Sequence, residues 1–256
     1  MPGRRALASG MTRTDLVVLH TADFPAWLTV LSVVSLAVAV ALAGWTAVDV
    51  VRRPQHMRVM AVVWPVTMLF GGLLWLRLYL RWGRATLRGS DHEQRDVPLR
   101  ISIATGASHC GAGCTLGDLV GELGVVAVPA LATVAGLGTL FTDEMYARWV
   151  VDFVAAYLIG IAFQYFAIAP MAHQSPARSL WQAIKADTLS ITSWQVGMYG
   201  LMALAQLVVL PAVVGGRAAV LTPQFWWVMQ LAMLAGFATS YPVNWWLVRI
   251  GIKEAM

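Results

Sequence analysis

The sequence predicts an all-α membrane protein, a polytopic bundle of about six transmembrane helices. Its composition is 59% hydrophobic and only 12% charged, about half the charged share of a typical soluble domain. The apolar runs are long and lack the two-residue alternation of barrel strands, so we expect the spans to be helical. Runs of about twenty apolar residues occupy residues 25–50, 59–80, 115–140, 148–171, 190–210 and 224–247.

The chain is expected to form one unit with a short leading segment. Residues 1–24 are predicted to be an N-terminal cytoplasmic segment, and residues 25–256 a single transmembrane bundle with a polar loop at residues 81–100. Basic loops tend to remain in the cytoplasm. With six spans, all but five of the 18 Lys and Arg residues fall on one side, which predicts a multi-pass inner-membrane protein with both termini cytoplasmic. The exceptions are Arg52, Arg53, Arg58, Arg148 and Arg217, and the first three crowd one short outer turn.

The predicted partner of this surface is the lipid bilayer. The net charge of +5 is explained by basic residues at the membrane boundary, so we expect no nucleic-acid partner. Two cysteines in a long chain do not make a disulfide scaffold. A homo-oligomer and a complex with a membrane partner subunit both agree with the sequence, and a metal-delivery partner stays unidentified.

The segment SHCGAGCTLGD, residues 108–118, opens the third predicted span and holds both cysteines. On a helix with 3.6 residues per turn, one polar stripe roughly 18 Å long would contain Cys110, Cys114, Asp118 and Glu122. A second stripe has the doubled small-xxx-small pattern that lets a neighbouring backbone approach closely, and it consists of Gly113, Gly117 and Gly121. We therefore expect this helix to be buried in the bundle.

Polar side chains from other spans are expected to meet this stripe. A carboxylate at membrane depth must be neutral, paired or hydrated, so Asp118 and Glu122 need partners. The candidates for a polar pathway are Glu122, Asp152, Gln164, Asp187 and Asn244. The alternative is a purely structural hydrogen bond between the acidic pair and a neighbouring helix, and both interpretations stay open.

The cysteine motif also has the side chains of a metal site. Two thiolates four residues apart on a helix can reach one metal ion. The predicted ligands are His109, Cys110, Cys114, Asp118 and His173. Thiolate, imidazole and thioether groups suit Cu(I), which makes copper the predicted cofactor, with Met198, Met202, Met229 and Met233 as further soft ligands. Cysteine and methionine are also ordinary packing residues, so the packing interpretation stays open.

Several segments together resemble a known family. The segments are RPQHM, VWPVT, HCGAGCTLGD, FQYFAIAPM, KADTLSITSWQVGMYG and SYPVNWWLVRIGIKEAM. They resemble an uncharacterised bacterial integral-membrane family, a domain of unknown function, over about residues 50–256. The resemblance implies a helical membrane protein and, through some relatives that look like copper-handling proteins, a link to copper. It implies no established activity.

Three functional hypotheses follow. The first is a protein that handles or transports a transition metal, copper above all, through a Cys/His/acidic site at the start of the third helix. The second is a proton- or ion-coupled transporter or channel that uses Asp118, Glu122 and Asp152 as a relay. The third is a non-catalytic accessory membrane subunit. An enzyme acting on a lipid or quinone through the thiols is less favoured, so no catalytic residue is predicted.

Overall fold

The computed structural model is an all-α bundle, as the composition predicts, and it describes residues 16–53, 55, 57–85, 97–168 and 175–253. The helices are α1 Ala26–Arg52, α2 Met60–Leu78, α3 Leu99–Ala127, α4 Ala130–Val134, α5 Glu144–Ile168, α6 Pro176–Leu204, α7 Leu210–Val214 and α8 Pro223–Arg249. Five-residue π-helical segments, Tyr79–Gly83 and Ala205–Val209, continue α2 and α6. The strands β1 Val18–Leu19 and β2 Arg217–Ala218 pair in parallel.

Five segments are long and apolar enough to cross a membrane: Ala26–Arg52, Met60–Gly83, Leu99–Ala127, Glu144–Ile168 and Pro176–Val214. Helix α8 is also long, with 27 residues, but it is not one of these five segments. The outward-facing side chains of α1 include many large apolar residues, such as Val30, Val34 and Val40. A surface of this kind is suited to acyl chains rather than to water.

The second predicted span does not cross the bundle. Helix α2 is interrupted at Gly72, whose φ of 52° and ψ of −135° are not helical and are readily adopted by glycine. The rings of Trp64 and Tyr79 lie 5.4 Å apart, whereas fifteen residues of straight helix would separate them by roughly 22 Å. The chain therefore reverses at Gly72 and forms a re-entrant hairpin, which we call the hairpin (residues 60–83).

Both ends of the hairpin lie beside the end of α1. Arg84 donates two hydrogen bonds of 2.8 Å to the carboxylate of Asp49, and the Tyr79 hydroxyl donates a third, also of 2.8 Å. Arg53, which follows α1, donates to the carbonyl of Ala85. The expectation that residues 59–80 form a single crossing is therefore wrong, because a hydropathy scan registers apolar composition and not the direction of the chain.

The described ends of the chain lie at opposite ends of the bundle. Helices α1 and α8 run parallel, since Gln224 donates to Thr29 and Ser35 donates to Gln230. Strand β1 pairs with β2 at the start of both helices. We call this the sheet end of the bundle, and the opposite end, where α8 stops, the Lys253 end. Within the described residues, the two ends of the chain lie at opposite ends of the bundle, and not on one side as six crossings would require.

Two predicted helix boundaries were also wrong. Helix α3 begins at Leu99 and ends at Ala127, so the cysteine motif lies near mid-helix rather than at its start. Helix α6 begins at Pro176, well before residue 190. Both starts are rich in Ser, Thr, Gly or charged residues that lower the hydropathy of a window, yet their buried faces pack inside the bundle. Residues 81–83 and 99–100 of the predicted polar loop are helical, and residues 86–96 lie outside the described residues.

The glycine stripe of α3 packs against α5, as its spacing predicts. A Cβ atom added at Gly113 would lie 2.7 Å from the Gly160 Cα, and one at Gly117 would overlap Ala156. At Gly121 the α3 backbone meets Asp152, whose Cα would lie 2.9 Å from the added Cβ. This close approach brings the polar stripe of α3 next to the carboxylate of Asp152.

We predict that Gly113→Ala destabilises the bundle by about 1–3 kcal/mol, because the new methyl group would press on the Gly160 backbone, which has no flexible side chain to yield. Thermal unfolding in detergent measures the change. The control is Gly44→Ala on α1, where an added Cβ meets nothing within 4 Å. Equal stability of the two variants would contradict the close contact of α3 and α5.

We also predict that tags placed at the N-terminus and the C-terminus are accessible from opposite sides of the membrane. Protease protection of the two tags in sealed vesicles measures this. Protection of both tags from the same side would contradict the re-entrant hairpin and restore the arrangement with six crossings.

Candidate functional site

A group of polar side chains is buried around the first cysteine, and we call it the thiol cluster: Cys110, Asp187, Ser190, Asn244 and Lys253. The Cys110 thiol lies 3.1 Å from Asp187 Oδ1, and the Ser190 hydroxyl donates to the Cys110 sulfur at 3.2 Å. The Asn244 amide donates to Ser190 Oγ at 2.7 Å. Cys110 belongs to α3 and Asn244 to α8, while Asp187 and Ser190 lie one turn apart on α6. Three helices therefore contribute to the cluster.

Lys253 completes the thiol cluster from beyond the end of α8. The chain turns at Gly251, whose φ is 72°, and the backbone N–H of Lys253 donates back to the carbonyl of Leu247. The Lys253 ammonium donates to Asp187 Oδ1 at 2.6 Å and to Cys110 Sγ at 3.0 Å. Burial alone would lower the pKa of Lys253, but the charge of Asp187 and these hydrogen bonds raise it above its ordinary value. The amine therefore stays cationic.

Some polar atoms beside this ion pair are buried without a hydrogen-bond partner in the described part of the chain. They are Asp187 Oδ2, Asn244 Oδ1 and both ring nitrogens of His109. The side chain of Asp187 is fully buried, and that of Lys253 is 1% exposed. An unsatisfied buried polar atom is unfavourable by about 1–3 kcal/mol, so the free oxygens of Asp187 and Asn244 mark the thiol cluster as a place where further donors could bind.

A second polar group, the carboxylate cluster, lies nearer the sheet end: Asp118 and Glu122 on α3, and Asp152 on α5. All three are buried, with 0%, 1% and 0% exposure. Gln195 on α6 donates to Asp118 Oδ1 at 3.4 Å. Arg148 donates to Glu122 Oε2 at 3.4 Å and to Glu144 Oε1 at 2.6 Å. Asp118 Oδ2 has no partner among the described residues, whereas the carboxyl group of Asp152 interacts with that of Glu122.

The charges of the carboxylate cluster do not balance. Asp152 interacts electrostatically with Asp118, Glu122 and Arg148, and Arg148 also pairs with Glu144. In the described part of the chain this is one arginine shared among four carboxyl groups. Because an unpaired charge at membrane depth is strongly unfavourable, the carboxyl groups on α3 and α5 must hold at least one proton, bind a cation or be hydrated.

A cavity of about 310 Å³ with both apolar and polar lining leads from the sheet end to Glu122 of the carboxylate cluster. Its polar lining comprises His20, Glu122, Glu144, Arg148, Gln206 and Arg217. Glu144 is half-exposed, whereas Glu122 is buried, so the cavity connects the surface of the bundle with the outermost member of the cluster. A separate apolar cavity of about 270 Å³ lies between α1, the hairpin, α3 and α8.

The structure brings together most of the predicted pathway residues. Asp118, Glu122 and Asp152 form the carboxylate cluster, and Asp187 and Asn244 belong to the thiol cluster. Gln164 is buried on α5 with its Oε1 unpartnered, and no recorded contact joins it to either cluster. Asn244 also donates to Ser240 Oγ at 2.9 Å, which extends the thiol cluster along α8.

The predicted metal site finds no support among the described residues. In that part of the chain, no three or more His, Cys, Asp and Glu side chains form a group that could hold a metal ion. Cys110 contacts Asp187 and Lys253, and His109 packs edge-on against Phe163 with ring centroids 6.0 Å apart. His173 lies outside the described residues. Copper as a cofactor stays a prediction.

The four methionines are buried in the apolar core, as the packing interpretation expects: Met198, Met202, Met229 and Met233. Met229 and Met233 line the apolar cavity, and the Met233 sulfur accepts a hydrogen bond of 3.5 Å from Thr115. Their role as soft ligands stays a prediction.

Sequence reasoning missed Lys253 and Arg148 as site residues. Lys253 lies more than 140 positions from Cys110, and no local periodicity links the two. One signal was available, because a chain with 18 basic residues has only two lysines, Lys185 and Lys253. A lysine near the end of an apolar helix, within a motif already singled out, was worth testing as a buried counter-ion.

Fold and site together define a helical bundle of the membrane-spanning class with two polar clusters inside it. The family described as a domain of unknown function, DUF4396, matches residues 101–253. This is well over half of the chain, and the protein belongs to this family. The matched region begins in α3 and ends at Lys253, so it contains both clusters but not the hairpin. Searches of curated proteins and of solved structures found no match.

We predict that Asp187→Asn destabilises the protein by about 3–5 kcal/mol, because it leaves the Lys253 ammonium buried without its counter-ion. Thermal unfolding in detergent measures the loss. The double variant Asp187→Asn/Lys253→Met removes both charges and should recover most of the stability. A double variant that is no more stable than the single one would show that the pair is not coupled.

Proposed function

We propose that this protein is a proton-coupled membrane transporter whose proton pathway follows α3. The observation that carries the proposal is the carboxylate cluster: three buried acidic side chains on two helices held together by glycine contacts, one of which, Glu122, lines the cavity at the sheet end. Such residues inside a membrane typically mark ion or proton pathways.

The carboxylate cluster and the thiol cluster follow one another along α3. Asp118 and Cys110 are eight residues apart, roughly 12 Å along the helix, and Cys114 lies between them on the same face. From the sheet end, the cavity reaches Glu122, and Asp152, Asp118 and then the thiol cluster follow it. Along this path titratable groups alternate with hydrogen-bonding partners such as Gln195, which is the arrangement that a relay needs.

Charge balance supports a proton as the coupling ion. Gln195 is a neutral partner, and Arg148 is shared between Glu122 and Glu144. A proton held by Asp118 or Asp152 would neutralise the excess charge without a coordination shell. A divalent metal would need at least three ligands, and no such group occurs within the described residues.

The fold also supports an orientation in the inner membrane. Among the basic residues that the structure describes, only Arg148 and Arg217 belong to the sheet end, and the others belong to the Lys253 end. The positive-inside rule then places the Lys253 end in the cytoplasm and the sheet end outside. The crowded arginines Arg52, Arg53 and Arg58, which six crossings would place outside, now lie on the cytoplasmic side.

We predict that Asp118→Asn abolishes proton flux, because the amide keeps the size of the side chain but cannot carry the proton. Flux is measured in liposomes containing the purified protein and an internal pH-sensitive dye, under an imposed pH gradient and potential. The expected rate is that of protein-free liposomes.

Two matched variants serve as controls. Glu144→Gln makes the same chemical change on a half-exposed carboxylate at the cavity surface, and Val120→Ala changes an exposed side chain of α3 outside the stripe; both should retain flux. Wild-type flux from Asp118→Asn would contradict the proposed pathway.

A further inference from the structure

The thiol cluster has the features of a ligand site that is filled by the chain itself. Lys253 is the only buried one of the two lysines, and Lys185 is exposed. Its ammonium reaches Asp187 and Cys110 from a four-residue turn beyond α8. An ammonium is a compact charge with three donors, and two of its donors are accounted for by these contacts.

Acceptors that Lys253 does not use remain in the same cluster. Asp187 Oδ2 and Asn244 Oδ1 are both buried without a partner. Ser190 links the two halves of the cluster, since its hydroxyl donates to Cys110 and its oxygen accepts from Asn244. The cluster therefore has one formal negative charge, a thiol and an amide oxygen, which suit a monovalent N–H donor.

We propose that Asp187, Cys110 and Asn244 form a binding site for a primary ammonium group, and that the side chain of Lys253 occupies this site as a tethered stand-in. The ligand class is a small primary alkylammonium ion or ammonium itself. Resting on the proposed function, this site names the substrate of the transporter as a protonated primary amine, bound at the Lys253 end of the pathway.

The chemistry of the site distinguishes an amine from other cations. Alkali cations prefer several oxygen ligands, and a thiol is a poor ligand for them. A soft metal ion would need more thiolate or imidazole ligands than the described residues bring together. A quaternary ammonium has no N–H donor and could not bond to Asp187 or Cys110. Recognition thus rests on one charge and directed N–H donors.

The test uses Lys253→Ala, which removes three methylene groups and the ammonium. The void has the size of propylammonium. Removing one member of a buried ion pair is expected to lower the unfolding temperature by roughly 10 °C. Propylammonium chloride should restore most of this loss in a concentration-dependent way, because a ligand that binds only the folded state stabilises it.

Chemical controls test separately the effects of the charge, the N–H donors and the volume of the ligand. 1-Propanol has the shape of propylammonium without the charge, and tetramethylammonium has the charge without the N–H donors; neither should restore stability at equal concentration and ionic strength. Lys185→Ala should respond to propylammonium no more than the wild-type protein does, where the amine has to displace Lys253 from the site. Lys253→Ala/Asp187→Asn should also fail to respond, since the carboxylate that binds the amine is gone.

A second variant keeps the test decisive if Lys253→Ala does not fold. Lys253→Met retains most of the apolar stem and leaves room only for the ammonium group, so ammonium chloride should stabilise it more than propylammonium does. Lack of any stabilisation of Lys253→Met and of Lys253→Ala by these amines would overturn the proposal and leave a structural ion pair. Neither readout measures flux, so the outcome is independent of the test of Asp118.

Discussion

Charge buried away from water is the constraint on which the rest of this structure depends. A carboxylate or an ammonium in the interior of a membrane bundle is unfavourable unless a partner reaches it. The protein meets this requirement in two ways. At the Lys253 end, Asp187 and Lys253 form a direct ion pair between α6 and the chain beyond α8. Nearer the sheet end, the carboxyl groups of α3 and α5 share a single arginine among the residues that the structure describes.

The packing of α3 against α5 and α6 brings together the side chains of both polar clusters. Glycine at positions 113, 117 and 121 brings the α5 backbone against α3, so Asp152 lies beside Asp118 and Glu122. The adjacent face of α3 carries Cys110 toward Asp187 and Ser190 on α6. One helix therefore provides a close backbone contact on one side and a row of titratable groups on the next. A larger residue in the glycine stripe would separate the two acidic helices as well as loosen the fold.

Sequence reasoning predicted the features that depend only on composition and on residues near one another in the chain. The period of a helix predicts one stripe that contains Cys110, Cys114, Asp118 and Glu122. The burial of this stripe follows because a charge exposed to lipid is strongly unfavourable. The all-α class follows from composition. Composition does not predict the reversal of the chain at Gly72, because an apolar window has the same composition whether the chain crosses the membrane or turns back. The crowded arginines at residues 52–58 were the visible sign that one crossing too many had been assumed.

Long-range partners were beyond the reach of a periodic pattern. Nothing near Cys110 indicates that Lys253 would meet it, since that contact depends on how α6 and α8 pack and on the turn at Gly251. The metal interpretation came from residue types close together in sequence, whereas the fold gives Cys110 a carboxylate and an ammonium as neighbours. The acidic residues were identified correctly as a group because each lies on the inward face of a long helix.

The central claim is that the carboxylate cluster holds an exchangeable proton inside the bundle. Infrared spectroscopy of the purified protein resolves the carbonyl stretch of protonated carboxylic acids from that of carboxylates. We expect a protonated-acid band at neutral pH that shifts in D₂O and is lost or reduced in Asp152→Asn, but not in Glu144→Gln. A spectrum without that band, or a band unchanged in Asp152→Asn, would contradict the account.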